Sequence, residues 1–151
     1  MVGNLMRPTM DEWGLELARV VALRSTCRRR AVGCVLVDAR GRVLATGYAG
    51  VASGRPHCVD DAPCPGAAAE SGTRLEECYA IHAEANALLQ CRDVDAVATC
   101  YVTTSPCVSC VRLLLGAVGC YRVVAASAYA HDTASRALWA SSGRQWHILS
   151  M

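Results

Sequence analysis

Lysine is absent from this sequence, so its 15 strongly basic side chains are all arginines, and the net charge is only +2. A surface that binds a polyanion usually carries a marked basic excess, so this charge argues against a nucleic-acid partner. Uninterrupted apolar runs of about 18 residues are also absent, so we expect no membrane-spanning helix and no membrane partner. The opening "MVGNLMRPTMDEWG" has neither the apolar segment nor the cleavage pattern of an export signal. We therefore expect a soluble cytoplasmic protein.

The length of 151 residues, of which 53 % are hydrophobic, fits a single domain over residues 1–151 with a buried core. The ten cysteines are an even number that would suit disulfides in a secreted protein. Since the chain shows no export signal, metal ligation plus a few buried thiols is the better interpretation. The cysteines that lie within apolar runs are interpreted as small buried hydrophobic residues: Cys34, Cys91, Cys100 and Cys120.

The first part of the chain predicts a helix followed by a hairpin. Trp13, Leu17, Val21 and Arg24 recur at helical spacing, and Thr9 stands where an N-terminal cap is expected. The runs "VGCVLV" and "RVLATGY" are typical of strands, and the "DARG" between them predicts a tight turn. A long irregular stretch rich in Gly, Pro and Ala follows over residues 49–77. Such a long loop is unusual unless something anchors it.

The second part of the chain predicts a regular alternation of helices and strands. Its segments are, in order, helix "HAEANALLQC", strand "VATCYVT", helix "CVSCVRLLLGAV", strand "YRVVAAS", helix "TASRALWAS" and strand "QWHILS". A hairpin followed by this alternation predicts an α/β sandwich with a mixed sheet.

Three residues have the type and spacing of zinc ligands. "SPCVSC" places Cys107 and Cys110 at the start of a helix, where the helix dipole favours thiolates. His82 would be the third ligand, and three protein ligands leave one position for water, as in catalytic zinc sites. Glu84 stands two residues after His82, where a carboxylate could take a proton from that water and return it elsewhere.

The order of these residues matches H-x-E…P-C-x-x-C, the signature of zinc deaminases that act on cytosine or adenine. "HAE" and "PCVSC" supply both halves of that signature. A C-x-x-C pair alone would also fit a redox site, and a lone histidine is usually a hydrogen-bonded polar residue. The joint pattern favours the deaminase interpretation over both.

The chain resembles the deoxycytidylate (dCMP) deaminases of the cytidine deaminase superfamily, from about Leu23 to Tyr129. The resemblance rests on "LRSTC", "VGCVLV", "GYAG", "HCVD", "IHAEANALLQC", "YVTTSPCVSC" and "GCYRVV". It implies a three-layer α/β fold with a five-stranded mixed sheet flanked by helices. It also implies a zinc-dependent hydrolase that converts dCMP to dUMP and ammonia, and a homo-oligomer, specifically a hexamer.

The resemblance also assigns roles to individual residues. His82, Cys107 and Cys110 correspond to the family's zinc ligands and Glu84 to its proton shuttle. Positions close to the nucleotide in the family correspond here to Arg24, Asn86, Tyr129 and Ala49. The family usually has "GYNG" where this chain has "GYAG", so Ala49 replaces an asparagine that can contact the sugar. This departure bears on the exact substrate and on control by deoxynucleoside triphosphates.

A second, structural zinc is a further expectation. Bacterial and phage members of the family have cysteines near the positions of Cys27, Cys58, Cys64 and Cys78 and bind such a zinc there. Four thiolates would close a tetrahedral site and anchor the long loop. His57 is an alternative ligand.

Other functions remain open from the sequence. The substrate could be dCTP or a 5-substituted dCMP in place of dCMP. A polynucleotide or tRNA deaminase is disfavoured by the low charge, since the only basic run is Arg28–Arg30, which either lines a phosphate site or forms a solvated turn. A zinc-stabilised binding module without catalysis would have no use for Glu84.

Overall fold

The computed structural model describes residues 6–60 and 63–150 of the chain. Its helices and strands follow the predicted order, most with ends one to a few residues inside the predicted ones. In chain order they are α1 Met10–Ala22, β1 Gly33–Val37, β2 Val43–Tyr48, α2 Ala83–Gln90, β3 Thr99–Val102, α3 Val108–Gly116, β4 Arg122–Ala125, α4 Thr133–Ser141 and β5 Gln145–Ile148.

The five strands form one mixed sheet in the order β2-β1-β3-β4-β5. Strand β1 pairs antiparallel with both β2 and β3, whereas β3, β4 and β5 run parallel. The β1–β2 turn is tightened by Asp38, whose Oδ1 accepts the backbone N–H groups of Arg40 and Arg42 at 2.9 Å each. Gly41 follows with a φ of +79°, a conformation that favours glycine. The predicted mixed sheet is confirmed.

Alternation along β1 separates the core into two halves. Cys34 and Leu36 join a cluster with residues of α2, α3 and α4, whereas Val35 and Val37 pack with α1 on the opposite face. Because β1 is covered on both sides, all five of its residues are buried. The result is a three-layer sandwich, with α1 on one face and the other three helices on the other, as the sequence predicts. The four cysteines interpreted as buried hydrophobic residues are indeed buried.

Helix α1 begins as predicted. The Thr9 side chain accepts the N–H of Glu12, and the Glu12 carboxylate accepts the N–H of Thr9, which forms a capping box. The helix ends at Ala22, with Leu23 as its C-cap, so Arg24 lies just beyond it. No helix in the described part of the chain is long and apolar enough to cross a membrane.

Arginine side chains hold the irregular segment that follows β2. Arg28 donates to the carbonyl of Asp60 at 2.9 Å, and Arg29 donates to the carbonyls of Glu70 at 2.9 Å and Thr73 at 3.1 Å. These bonds satisfy loop carbonyls that no strand or helix would pair. Two of the three arginines in the basic run therefore anchor the loop.

Candidate active site

A cavity of about 810 Å³ opens at the carboxyl ends of the parallel strands β3 and β4. The loop after β3 leads into α3, the loop after β4 leads into α4, and the N-terminus of α2 faces the same space. Crevices at this edge of an open α/β sheet are the usual place for ligands. The fold thus brings together the beginnings of two helices that carry the predicted metal ligands.

The predicted zinc ligands converge on this cavity. His82 is the N-cap of α2, Cys107 is the N-cap of α3, and Cys110 lies in the first turn of α3. The Nδ1 of His82 lies 3.3 Å from the sulfur of Cys107 and 3.4 Å from that of Cys110. Tetrahedral zinc with ordinary Zn–S and Zn–N bonds sets sulfur and nitrogen about 3.6 Å apart, so the three side chains fit the ion. Within residues 6–60 and 63–150, no other group of at least three potential ligands has its atoms all within 4.8 Å of one another.

The two cysteines differ in their tendency to ionise. A hydrogen bond from the Cys110 thiol, assisted by His82, lowers the pKa of Cys107 to about 4 despite partial burial. The same hydrogen bond raises the pKa of Cys110, and burial adds to that effect. The hydrogen bond with Cys107 also raises the pKa of His82, against the effect of burial. One sulfur is thus already suited to be a thiolate, and a divalent cation would favour the charged form of the second.

Glu84 lies in the first turn of α2, and it is only 4 % exposed. Burial raises the pKa of its carboxyl, although its own backbone N–H and His82 act in the opposite direction. A buried carboxyl with a raised pKa beside a cavity is typical of groups that transfer protons. It also lines the cavity that His82, Cys107 and Cys110 line.

Residues 8–127 match the family model described as the cytidine and deoxycytidylate deaminase zinc-binding region. The chain belongs to this deaminase family. The matched segment includes the H-x-E and P-C-x-x-C motifs, and the fold brings their His82, Glu84, Cys107 and Cys110 to one cavity.

Named relatives agree with this family. The chain is 42 % identical over 128 residues to the deoxycytidylate deaminase of Mycobacterium phage D29, a match that covers 80 % of this chain and 96 % of that protein. It is 37 % identical over 146 residues to the deoxycytidylate deaminase of Schizosaccharomyces pombe, which covers 94 % of this chain and 44 % of that protein. The chain therefore spans less than half the length of this relative and of the deoxycytidylate deaminase of Saccharomyces cerevisiae.

Solved structures share the fold. The dCMP deaminase of cyanophage S-TIM5 in complex with dCMP and dUMP superposes with a TM-score of 0.72 at 23 % identity, covering 95 % of this chain and 99 % of that one. Its apo form gives a TM-score of 0.69. This likeness establishes a cytidine deaminase-type fold for the chain.

The residues predicted to contact the nucleotide fall into two groups. Ala49 and Tyr129 line the cavity. Arg24 is exposed beyond the end of α1, and neither it nor Asn86 belongs to the lining. The Asn86 amide instead donates to the carbonyl of Tyr48 at 2.8 Å and ties α2 to β2. Contact of Arg24 and Asn86 with a nucleotide stays a prediction.

Arg30 and Ser105 also line the cavity, and neither was assigned a role of its own from the sequence. The guanidinium of Arg30 lies 4.9 Å from the centre of the Tyr129 ring, a cation–π arrangement. Ser105 is buried immediately before Pro106 and Cys107, and its hydroxyl is hydrogen-bonded on both sides. Arg30 had a sequence signal, as part of the basic run, whereas Ser105 had none beyond its place next to a metal ligand.

The four cysteines expected to bind a second zinc, Cys27, Cys58, Cys64 and Cys78, do not all have their sulfurs within 4.8 Å of one another. The sulfurs of Cys58 and Cys64 lie 3.7 Å apart. Burial raises the pKa of Cys78, and the nearby thiols of Cys27 and Cys64 act in the same direction. His57 is exposed, and its Nδ1 lies 3.5 Å from a carboxylate oxygen of Asp60.

Proposed function

We propose that this chain catalyses the zinc-dependent hydrolytic deamination of dCMP to dUMP and ammonia. The observation that carries the proposal is the convergence of His82, Cys107 and Cys110 beside the buried carboxyl of Glu84. A binding module without catalysis would gain nothing from that carboxyl, because burying it costs free energy. The names of the relatives supply the substrate, and the shared fold supports the comparison.

His82, Cys107 and Cys110 would hold the zinc ion. When bound, zinc lowers the pKa of a water ligand and makes it a nucleophile near neutral pH. Glu84 accepts one proton from the attacking water and delivers it to N3 of the cytosine. It then transfers the second proton, from the oxygen now bonded to C4, to the departing amino group. The C4–oxygen bond forms, the C4–nitrogen bond breaks, and dCMP plus water give dUMP plus ammonia. Burial raises the pKa of the Glu84 carboxyl, which favours its protonated form between the two transfers.

Arg30 is the arginine of the basic run that is best placed to meet a 5′-phosphate. Arg28 and Arg29 are engaged with loop carbonyls, whereas Arg30 makes one long hydrogen bond, 3.4 Å to the hydroxyl of Ser71. Guanidinium groups bind phosphate oxygens through paired N–H donors. A phosphate contact of this kind makes dCMP a better substrate than deoxycytidine.

A substrate panel tests this function: dCMP, dCTP, CMP, deoxycytidine and a 5-substituted dCMP, each assayed for ammonia release. We expect dCMP or its 5-substituted form to be turned over at least about 10-fold more efficiently than deoxycytidine, since each charged hydrogen bond contributes about 1.5–3 kcal/mol. Equal efficiency with deoxycytidine would remove the role of the phosphate. Higher efficiency with dCTP than with dCMP would identify the triphosphate as the substrate. Absence of turnover with every cytosine substrate would overturn the proposal.

A second zinc bound by Cys27, Cys58, Cys64 and Cys78 is part of the proposal. The 3.7 Å between the sulfurs of Cys58 and Cys64 compares with about 3.8 Å for two thiolates on tetrahedral zinc. All four cysteines lie on or beside the long loop, which the metal would anchor. We expect two zinc ions per chain in metal analysis of the loaded protein and one in Cys58→Ser. One zinc in both proteins would exclude the second site.

We also propose that the chain assembles into a homo-hexamer. Its support is the family resemblance together with exposed apolar side chains on and after α2 and α3, namely Leu89 at 75 %, Leu113 at 50 % and Val118 at 70 % exposure. Light scattering should give six times the 16.0 kDa chain mass. A monomer at micromolar concentration would contradict it.

A further inference from the structure

Ser105, Asp132 and Tyr129 are joined by a closed ring of hydrogen bonds at the edge of the cavity. The backbone N–H of Tyr129 donates to Ser105 Oγ at 2.7 Å, and the Ser105 hydroxyl donates to Asp132 Oδ2 at 2.9 Å. The backbone N–H of Asp132 returns to the carbonyl of Tyr129 at 3.2 Å. The ring connects the loop after β3, which leads to the metal ligands, with the loop after β4.

The two polar side chains of this ring are shielded from water. Ser105 and Asp132 are each 4 % exposed. The second carboxylate oxygen of Asp132 accepts Nη2 of Arg136 at 2.9 Å, so the buried charge has a partner. Hydrogen bonds to a buried, paired carboxylate are among the stronger and more directional ones in proteins. The ring therefore fixes the backbone of Tyr129 more firmly than an exposed loop bond would.

Asp132 makes these bonds in place of capping its own helix. It is the N-cap of α4, a position where an aspartate side chain commonly accepts a backbone N–H of the first turn, yet it makes no such bond. Its carboxylate reaches Ser105 on the neighbouring loop instead. Helix α4 therefore lacks an N-terminal side-chain cap, and the Asp132 carboxylate instead links the two loops at the cavity wall.

Tyr129 is the member of the ring that presents an aromatic side chain beside the cavity. Its ring lies under the guanidinium of Arg30 at 4.9 Å and edge-on to His131 at 5.2 Å between centroids. Ser105, Tyr129 and Arg30 all line the cavity. Holding the Tyr129 backbone thus holds an aromatic face and, through it, the arginine proposed to meet the phosphate.

We propose that Ser105 and Asp132 are positioning residues, which act through Tyr129 to set the affinity of the site for its nucleotide. The proposal rests on the proposed deamination of dCMP. It assigns no chemistry to Ser105 or Asp132, whose polar atoms are engaged with each other and with the protein. Loss of the ring should therefore weaken substrate binding and leave the proton transfers by Glu84 largely intact.

The test is a double-mutant cycle in the zinc-loaded full chain, with Ser105→Ala, Tyr129→Ala and the pair. Ser105→Ala should raise KM for dCMP about 3- to 10-fold with kcat little changed, as expected for one lost hydrogen bond. In the Tyr129→Ala background the same change should have little further effect, because its route of action is gone. Ser141→Ala on the surface of α4, a matched loss of one serine hydroxyl, should leave KM and kcat as in the wild type. Additive effects of Ser105→Ala and Tyr129→Ala, or a fall in kcat alone, would overturn the positioning role.

Amide hydrogen exchange supplies a readout that does not depend on activity. The N–H of Tyr129 donates to Ser105 Oγ, so Ser105→Ala should accelerate its exchange, whereas Ser141→Ala should not. Unchanged exchange at Tyr129 in Ser105→Ala would show that the ring does not hold this backbone and would overturn the proposal. If the wild-type chain failed to deaminate dCMP, the proposed function would fall, and so would a positioning role in nucleotide affinity, even where exchange showed that the ring holds the loop.

Discussion

Two carboxylates on opposite faces of the same sheet have opposite surroundings. Asp11, on α1, accepts the Tyr101 hydroxyl at 2.8 Å and two bonds from the Arg122 guanidinium at 3.1 and 2.8 Å. The hydrogen bonds from Arg122 lower the pKa of Asp11, against the effect of its partial burial. Glu84, on α2, is more deeply buried, and burial raises its pKa. The surroundings of Asp11 favour its charged form, whereas those of Glu84 favour protonation.

This difference separates a structural role from a chemical one. The Asp11–Arg122 pair ties α1 to β4, and nothing about it requires the charge to change. Glu84 lines the same cavity as the predicted zinc ligands His82, Cys107 and Cys110. Perturbed carboxyl groups beside a cavity are typical of functional sites. Matched substitutions of Asp11 and Glu84 should therefore have different effects, one on stability and the other on catalysis.

The largest expected effect is on catalysis. Glu84→Gln should lower kcat for dCMP by about 10²–10⁴-fold, because an amide cannot carry the proton. Zinc content and the melting temperature should change little, since the amide occupies the same volume. The matched control is Asp11→Asn, the corresponding change on the other face, which should keep kcat near the wild-type value. Near-normal turnover by Glu84→Gln would refute the shuttle.

The next effect is on stability. Asp11→Asn should lower the free energy of unfolding by about 1–2 kcal/mol, since it weakens hydrogen bonds to a partly exposed charged pair. Urea denaturation of the two proteins would measure it. An unchanged midpoint would mean that the ion pair between α1 and β4 contributes nothing.

The same variant gives a smaller effect that depends on pH. The pKa of Asp11 is lowered from 3.8 in the folded protein. Its contribution to stability is therefore complete well above pH 3.8 and is lost as the pH falls through the lowered folded-state pKa. The difference in unfolding free energy between wild type and Asp11→Asn should shrink on acidification below about pH 4. A difference that grows in acid would have the wrong sign.

The smallest effect concerns specificity at the cavity wall. Ala49 is 6 % exposed and lines the cavity, and its carbonyl accepts the hydroxyl of Ser25 at 2.6 Å. Ala49→Asn should change the ratio of kcat/KM between dCMP and other cytosine nucleotides by a few-fold, about 1 kcal/mol or less. Its effect on the melting temperature should be smaller than that of Asp11→Asn. A lower melting temperature with unchanged selectivity would show that position 49 serves packing alone.

Local patterns in the sequence were sufficient to predict the helices and strands and to identify the three candidate zinc ligands, whose side chains the fold brings together. Hydrophobic periodicity and the Thr9 cap depend on residues within a few positions of each other, as does the spacing of Cys107 and Cys110. His82 could be predicted to share a zinc ion with these cysteines because the deaminase signature places H-x-E before P-C-x-x-C in the sequence. The α/β sandwich with a mixed sheet followed from a hairpin and alternating helices and strands, and its three layers from the family resemblance.

Contacts between residues far apart in the sequence could not be predicted from local patterns. Asp11 and Arg122 are 111 positions apart, and Ser105 and Asp132 are 27 apart, so only the folded register brings them together. The basic run was considered as a phosphate site or a solvated turn, yet Arg28 and Arg29 hold the loop. Arg24 was placed near the nucleotide by family resemblance, and it lies outside the cavity lining.

The measurement that tests the central claim most directly is product formation from dCMP by the zinc-loaded chain, by a chelator-stripped sample, and by the stripped sample after zinc is returned. We expect equal amounts of dUMP and ammonia from the loaded protein, loss of both on stripping, and recovery with zinc. Absence of dUMP from a fully zinc-loaded, folded chain, or undiminished turnover after the metal is removed, would contradict the account.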